Sequence, residues 1–109
     1  MTRLLALGDN HVGQGVRGAV TAERLAEQEQ VIRDALQLAR DEKVQAVLHA
    51  GDLFHARNPV PAVMLAAERP LVEHRDAGGP PIIMVNGNHC VSGTAESAAV
   101  DVFAEAGLI

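Results

Sequence analysis

The chain has 109 residues, with nine Lys and Arg against fourteen Asp and Glu and a formal net charge of −5. This length suits one domain, which would bury roughly 65% of the surface of its unfolded chain. Collagen-like and disordered classes are excluded, because 48% of the residues are hydrophobic and charges of both signs are mixed. With an acidic balance and 2% aromatic residues, the chain lacks the means to bind nucleic acid through basic charge or base stacking alone.

The first half of the chain predicts a strand, a helix and a second strand. A short apolar run over residues 4–7, ended by glycine, is typical of a buried strand. After a glycine-bearing loop, Thr21 is the predicted cap of a helix whose apolar positions recur at helical spacing as far as Ala39. A second apolar run over residues 44–50, stopped by Gly51, predicts a second buried strand.

The second half repeats this order. Residues 60–75 are predicted to be helical, and Pro70 is expected to kink that helix or to begin a new segment. The third apolar run, over residues 82–85, predicts a third buried strand. An Ala-rich stretch over residues 94–105 predicts a third helix, with Gly107 beyond its end.

Strands and helices therefore alternate as βαβαβα, which predicts an α/β fold with a parallel sheet and right-handed crossovers. No apolar run is long enough to span a bilayer, and the N-terminus has no signal-peptide pattern, so we expect no contact with a membrane. The single cysteine, Cys90, cannot form an internal disulfide, which indicates a reducing compartment and predicts a cytoplasmic location.

Each predicted strand is followed by side chains that can ligate a metal ion. The three motifs are Gly8-Asp9-Asn10-His11, Gly51-Asp52-Leu53-Phe54-His55 and Asn86-Gly87-Asn88-His89. Carboxylate, imidazole and amide groups suit Mn²⁺, Fe²⁺ or Zn²⁺, and a carboxylate between two ions can bridge them. One such motif is usually only a turn, but parallel strands bring the three to the same edge of the sheet. The motifs therefore predict a metal site suited to the transfer of phosphoryl groups to water.

In their residues and spacing these motifs resemble the opening half of the calcineurin-like metallophosphoesterases. Within that superfamily, residues 9–13, residues 51–55 and the pair Asn58-Pro59 are most similar to the SbcD and Mre-type DNA repair exonucleases. The resemblance covers essentially the whole chain. It implies that residues 1–109 form a single partial domain, the first half of a four-layer α/β/β/α sandwich. It also implies a metal-dependent phosphodiesterase or DNA exonuclease that hydrolyses phosphodiester bonds with water activated by two metal ions.

The resemblance further implies four metal ligands. Asp9 and His11 would bind the first ion, Asp52 would bridge both ions, and Asn88 would bind the second. Mn²⁺ is the implied ion, with Mg²⁺ or Fe²⁺ as alternatives. Two ions are bound in the family, and this chain would hold one or none if it lacks the remaining ligands.

Two histidines are implied to act in catalysis. His89 would serve as the acid or phosphate-stabilising histidine, and His55 would lie on the substrate side. Cys90 stands where the family carries a carboxylate, and a thiol cannot hold the neighbouring histidine as a carboxylate does. The other two histidines are predicted to be structural, because His49 lies within an apolar strand and His74 within a charged helix.

The resemblance also bears on partners. DNA would be bound through the metal site, and an SMC-like ATPase would be the partner protein. The family completes its site with later histidines, including a Gly-His-x-His motif that this sequence does not contain. A three-strand half would leave one apolar face of the sheet uncovered, which calls for a homodimer, another chain or the remainder of a longer protein.

Two alternatives stay open at this level. In the first, the chain is a truncated or degenerate, non-catalytic module that binds at most one metal ion and acts by association. In the second, the Gly-x-Gly-x-x-Gly pattern from Gly13 to Gly18 binds a dinucleotide. Against this second alternative, the pattern begins late after the strand, and the acidic Asp34 falls inside the predicted first helix.

Overall fold

A computed structural model describes residues 2–15, 18–56, 58–84 and 99–109 of the chain. Strands and helices alternate in it as predicted. They are β1 (Leu4–Leu7), α1 (Ala22–Asp41), β2 (Ala46–His49), α2 (Pro61–Asp76), β3 (Ile82–Met84) and α3 (Ala99–Glu105). The predicted α/β class is confirmed.

The sheet is parallel and has the order β1-β2-β3. Both crossovers move the same way across the sheet, and right-handed crossovers then put α1 and α2 on the same face. Burial agrees with this, because Val47 and Ile82 are buried while Leu48 and Ile83, the residues that follow them, are exposed. One hydrophobic core therefore lies between the sheet and the helices.

The opposite face of the sheet is apolar and exposed, as a three-strand half predicts. The strand register puts Ala6, Leu48 and Ile83 in one row across the three strands. The exposed fraction is 36% for Leu48 and 55% for Ile83. This row, which we name the open face, is covered by nothing in the described chain.

Helix α1 begins where the sequence predicts. The Oγ1 of Thr21 accepts a hydrogen bond from the backbone N–H of Arg24 at 3.2 Å, which satisfies one of the free donors of the first turn. The residues of α1 that are buried against the core follow helical spacing and are Ile32, Leu36 and Ala39. The amphipathic pattern and the cap together determine this element.

Of the two effects predicted for Pro70 in helix α2, a kink or a new segment, the second is not observed. No new segment starts there, and a single helix runs from Pro61 to Asp76 with Pro70 buried inside it. Proline cannot donate the usual backbone hydrogen bond within a helix. Burial of Ala67 and Leu71 on either side of it offsets this loss, because the apolar face of the helix still packs on the core.

Other boundaries differ by a few residues. Strand β2 is shorter than predicted, and β3 is observed over three residues. Helix α3 is observed from Ala99, and the first part of the predicted helix lies outside the described residues. Gly107 has a φ of +75° just beyond this helix, the conformation that favours glycine at a helix end. In the described ranges, no helix is both long and apolar enough to cross a membrane.

His74 has the structural role that the sequence predicts. It is buried on α2, where the guanidinium of Arg40 donates to its Nδ1 at 2.9 Å. Its Nε2 lies 2.7 Å from the carbonyl oxygen of Pro80. Since arginine only donates and a carbonyl only accepts, the ring proton is on Nε2. His74 thus joins both helices to the chain entering β3.

Candidate metal centre

Two loops follow β1 and β2, and backbone hydrogen bonds join them side by side. The pairing of the parallel sheet continues past the strand ends, and Val12 forms an isolated parallel bridge with Phe54, both of them buried. The bonds run from Ala50 N–H to Leu7 O (2.8 Å), Asp9 N–H to Gly51 O (3.2 Å), His11 N–H to Asp52 O (3.0 Å), Val12 N–H to Leu53 O (2.7 Å) and His55 N–H to Val12 O (3.0 Å). The sheet thereby holds both loops at its carboxyl edge.

The three candidate ligands of these loops share an uncommon backbone conformation. Asp9, His11 and Asp52 have φ values of +54°, +47° and +56°. In the part of the chain that is described, Lys43 is the only other non-glycine residue with a positive φ. This left-handed conformation costs roughly 1–2 kcal/mol for most residues, with Asp less penalised, and such strain is concentrated at functional sites.

The side chains of these residues converge. Asp9, His11 and Asp52 each offer one donor atom, and these atoms lie within 4.8 Å of one another. The Nε2 of His11 is 3.7 Å from the Oδ1 of Asp9. The side chain of Asp9 is 81% exposed and that of His11 is 24% exposed, so the cluster opens to solvent at one side. Two carboxylates and an imidazole are a donor set that fits a divalent ion such as Mn²⁺, Fe²⁺ or Zn²⁺.

The other predicted site residues divide into two groups. His55 lies beside the cluster, with its Nδ1 3.5 Å from the Nδ1 of His11 and the ring centroids 5.7 Å apart. Its side chain is exposed. Asn88, His89 and the neighbouring Cys90 lie outside the described residues. The structure therefore brings together four of the six predicted site residues.

Sequence reasoning missed a hydrogen-bonded pair behind the cluster. His49 is 4% exposed, and its Nε2 lies 2.6 Å from the Oδ1 of Asn10. Burial lowers the pKa of His49 below its ordinary value, against the opposing charges of Asp9 and Asp52. The sequence did contain one signal for this pair, namely a histidine within an apolar strand, two residues before the Gly51-Asp52 motif.

A second missed residue is Gln28 on α1. Its Oε1 accepts the backbone N–H of Gly13 at 2.8 Å, and its Nε2 donates to the carbonyl of Gln14 at 2.9 Å. The loop after β1 is thereby attached to α1. Because the N–H of Gly13 is already bound to a side chain, the first glycine of the dinucleotide pattern does not offer it to a phosphate.

Comparison with known proteins identifies the class. A family model described as calcineurin-like phosphoesterase matches residues 2–105, and the chain therefore belongs to that family. The family depends on divalent metal ions, and the cluster of Asp9, His11 and Asp52 is a candidate site for one.

Within the family, the chain is similar to DNA repair nucleases. It is 32% identical over 87 residues to the SbcD subunit of the nuclease SbcCD of Bacillus subtilis, a match that covers 80% of this chain and 22% of that protein. It is 37% identical to the DNA double-strand break repair protein Mre11 of Haloferax volcanii, over 99% of this chain and 23% of the relative. The Mre11 protein of Halobacterium salinarum is 38% identical, and the match covers 99% of this chain and 27% of that protein.

The fold has a solved counterpart. A dimetal phosphatase from Danio rerio matches with a TM-score of 0.54 and 22% identity, covering 79% of this chain and 29% of that one. This likeness supports the fold alone. The chain spans about a quarter of the length of the curated relatives it matches. The predicted membership of the superfamily and the SbcD and Mre-type similarity are confirmed.

Proposed function

We propose that this chain contributes the first part of the metal centre of a phosphodiesterase that acts on DNA. The convergence of Asp9, His11 and Asp52 within 4.8 Å, at the carboxyl edge of a parallel sheet, carries this proposal. The names of the relatives, one part of a nuclease and the others double-strand break repair proteins, support DNA as the substrate. The acidic excess of the chain agrees, because part of it would serve to bind cations that in turn bind phosphate.

In this proposal Asp9 and His11 would hold one ion, and Asp52 would be shared between that ion and a second one, which Asn88 would also bind. Mn²⁺ is the proposed ion, with Mg²⁺ or Fe²⁺ as alternatives. When bound, the ions would polarise the phosphate and lower the pKa of water. The chain's own contribution is to hold the donors on a fixed backbone, which the ladder of hydrogen bonds between the two loops supports.

His55 and His89 are the proposed catalytic histidines. His55 is exposed beside His11, where a phosphodiester held at the cluster would come within its reach. A histidine in this position can donate a proton to the leaving oxygen or stabilise charge on the phosphate.

The remainder of the function would come from outside residues 1–109, which we propose to be one partial domain. Because the chain spans about a quarter of its relatives' length, the later histidine ligands would belong to a further segment. The open face is the proposed contact for that segment or for a second copy of the chain. The relative that is named as a subunit of a nuclease supports the presence of a partner chain. In this proposal the partner is an ATPase of the SMC type, and the complex is cytoplasmic.

The experiment compares metal binding and hydrolysis in three forms of the chain. Asp52→Asn removes a charged ligand but retains a residue type that tolerates a positive φ, so the backbone is preserved. Asp41→Asn makes the same change of charge at the exposed end of α1 and is the matched control. We expect electron paramagnetic resonance to detect Mn²⁺ bound to the unchanged chain and to Asp41→Asn, with binding lost in Asp52→Asn.

Hydrolysis of bis(p-nitrophenyl) phosphate and of DNA is measured on the same samples. Activity that requires Asp52 supports the catalytic function. Bound Mn²⁺ without hydrolysis would favour the non-catalytic module that acts by association. Absence of binding at saturating Mn²⁺ would overturn the metal centre in this chain.

A further inference from the structure

The imidazole of His49 uses both of its nitrogens. The backbone N–H of Gly51 donates to Nδ1 at 3.0 Å, and Nε2 lies 2.6 Å from the Oδ1 of Asn10. A backbone N–H can only donate, so Nδ1 accepts and the ring proton resides on Nε2. Nε2 then donates to the amide oxygen of Asn10. One neutral tautomer satisfies every polar atom of the ring.

These two bonds connect the two loops that carry the candidate ligands. Asn10 lies between Asp9 and His11 in the chain, and Gly51 directly precedes Asp52. One buried side chain thus joins a point inside the first ligand loop to the residue before the ligand of the second. The backbone ladder described above pairs the main chains of the loops, whereas His49 fixes the side chain of Asn10 against them.

The ligand loops need such support because their backbone is strained. All three ligand positions have a positive φ, and Gly51 has a φ of +104° directly before one of them. Residues in such conformations persist only when surrounding contacts determine them. A displacement of about 1 Å in a donor atom is enough to spoil a metal site or a reacting geometry.

We propose that His49 is a positioning residue of the metal centre, which acts through Asn10 and Gly51 to hold both ligand loops in the geometry that binds metal. This inference rests on the proposed function. Outer partners of this kind, when replaced, typically weaken metal binding by about 10- to 100-fold. His74 has an equally buried and doubly hydrogen-bonded ring, but it joins the helices and does not contact the ligand loops.

That pair of histidines provides the test. His49→Phe keeps a planar ring and removes both nitrogens, and His74→Phe does the same at the control position. Mn²⁺ dissociation constants are measured by paramagnetic resonance on samples shown to be folded by circular dichroism. We expect about 10- to 100-fold weaker binding for His49→Phe. His74→Phe is expected to lower the melting temperature and to leave the dissociation constant unchanged.

Asn10→Ala tests the same bond from its other side and spares the core, because Asn10 is only half-buried. We expect it to weaken Mn²⁺ binding as His49→Phe does, and we expect the double variant to bind no more weakly than His49→Phe alone. If His49→Phe does not fold, Asn10→Ala decides the question. Unchanged Mn²⁺ affinity in a folded His49→Phe, or in Asn10→Ala, would overturn the proposal.

A measurement without metal separates this inference from the proposed function. Amide hydrogen exchange at Gly51 and His11 should become faster in His49→Phe and stay unchanged in His74→Phe. If the unchanged chain binds no Mn²⁺, the proposed function fails while the exchange result still shows whether His49 holds the loops. Exchange that accelerates equally in both variants would reduce His49 to a general contributor to stability and would contradict its positioning role.

Discussion

The two ring nitrogens of His11 face different neighbours: its Nδ1 lies 3.5 Å from the Nδ1 of His55, and its Nε2 lies 3.7 Å from the Oδ1 of Asp9. The rings of His11 and His55 are inclined by 54°. His11 therefore stands between the carboxylate of Asp9 and the ring of His55. This arrangement gives the two histidines separate chemical environments, although they lie side by side.

This separation predicts that replacing the two histidines has different effects. His11→Asn should abolish Mn²⁺ binding because it removes an imidazole donor. Asparagine tolerates the positive φ of this position, so the backbone is preserved. His55→Ala should leave Mn²⁺ affinity nearly unchanged and lower the rate of phosphodiester hydrolysis by about 100-fold or more, the usual contribution of a proton-transferring side chain. Calorimetric titration with Mn²⁺ and steady-state kinetics check both outcomes. Equal loss of metal affinity in the two variants would show that His55 is a ligand instead.

The buried imidazole of His49 predicts that the metal-free chain loses stability as the pH falls below about 6.5, its ordinary pKa. Burial lowers the pKa of His49 in the folded state, so the unfolded chain binds a proton first and is stabilised by it. Protonation would also put a donor on Nδ1 against the N–H of Gly51. Thermal melts from pH 8 to pH 5 measure the effect, and in His49→Phe the melting temperature should fall less steeply as the pH is lowered. If the melting temperature depends on pH equally in the unchanged chain and in His49→Phe, the pH dependence comes from other groups.

Much of the fold follows from local sequence. Strand β1 is predicted to the residue because an apolar run of four ends at a glycine, and α1 begins at its predicted cap, Thr21. The three clustered donors are predicted because parallel strands carry their C-terminal loops to one edge. These features depend on short segments and on a topological rule, and a single sequence contains both.

Other features depend on contacts between distant residues. The pair of His49 and Asn10 is separated by 39 positions, and the pair of Gly13 and Gln28 by 15. No periodicity marks such partners, because each bond forms only after the sheet and α1 have packed. Pro70 does not begin a new segment for a similar reason, since burial on the core outweighs the local preference of proline.

An ion pair between the helices predicts a second dependence on pH. The guanidinium of Arg33 donates to both carboxylate oxygens of Glu73, at 2.7 and 3.0 Å, and these bonds hold the pKa of Glu73 below its ordinary value of 4.5. The stabilisation is therefore present above pH 4.5 and is lost as the pH falls through the lower folded pKa. Because the side chain of Glu73 is 51% exposed, solvent screening limits it to about 1 kcal/mol or less.

A double-mutant cycle of Arg33→Met and Glu73→Gln, followed by urea unfolding, measures this coupling. It should be largest near neutral pH and low salt, and it should shrink near pH 3 and in concentrated NaCl. Glu29 also binds Arg33, at 2.7 Å, and it remains in every variant, so the energy of its own pairing with Arg33 cancels from the cycle. Coupling that does not respond to salt would contradict an electrostatic origin.

The open face predicts that the chain by itself associates with its own copies. Ala6, Leu48 and Ile83 form an apolar row on a face that no described residue covers, and burial of such surface is favourable by about 25 cal/mol per Å². Sedimentation velocity should therefore detect association that increases with concentration. Leu48→Lys should abolish it, and Leu65→Lys, which replaces a residue of α2 that is 45% exposed, should not.

A comparison of Leu48→Lys with Ile83→Lys distinguishes two kinds of association. In the part of the sheet that is described, Leu48 lies on the central strand, whereas Ile83 lies on an edge strand that can also pair with the strand of another molecule. If face-to-face packing drives association, the lysine at either position prevents it. If edge pairing through β3 drives it, only Ile83→Lys does. A chain that remains monomeric at every concentration would show that the open face does not pack against a second copy, and would leave a further segment of the protein or another chain as its partner.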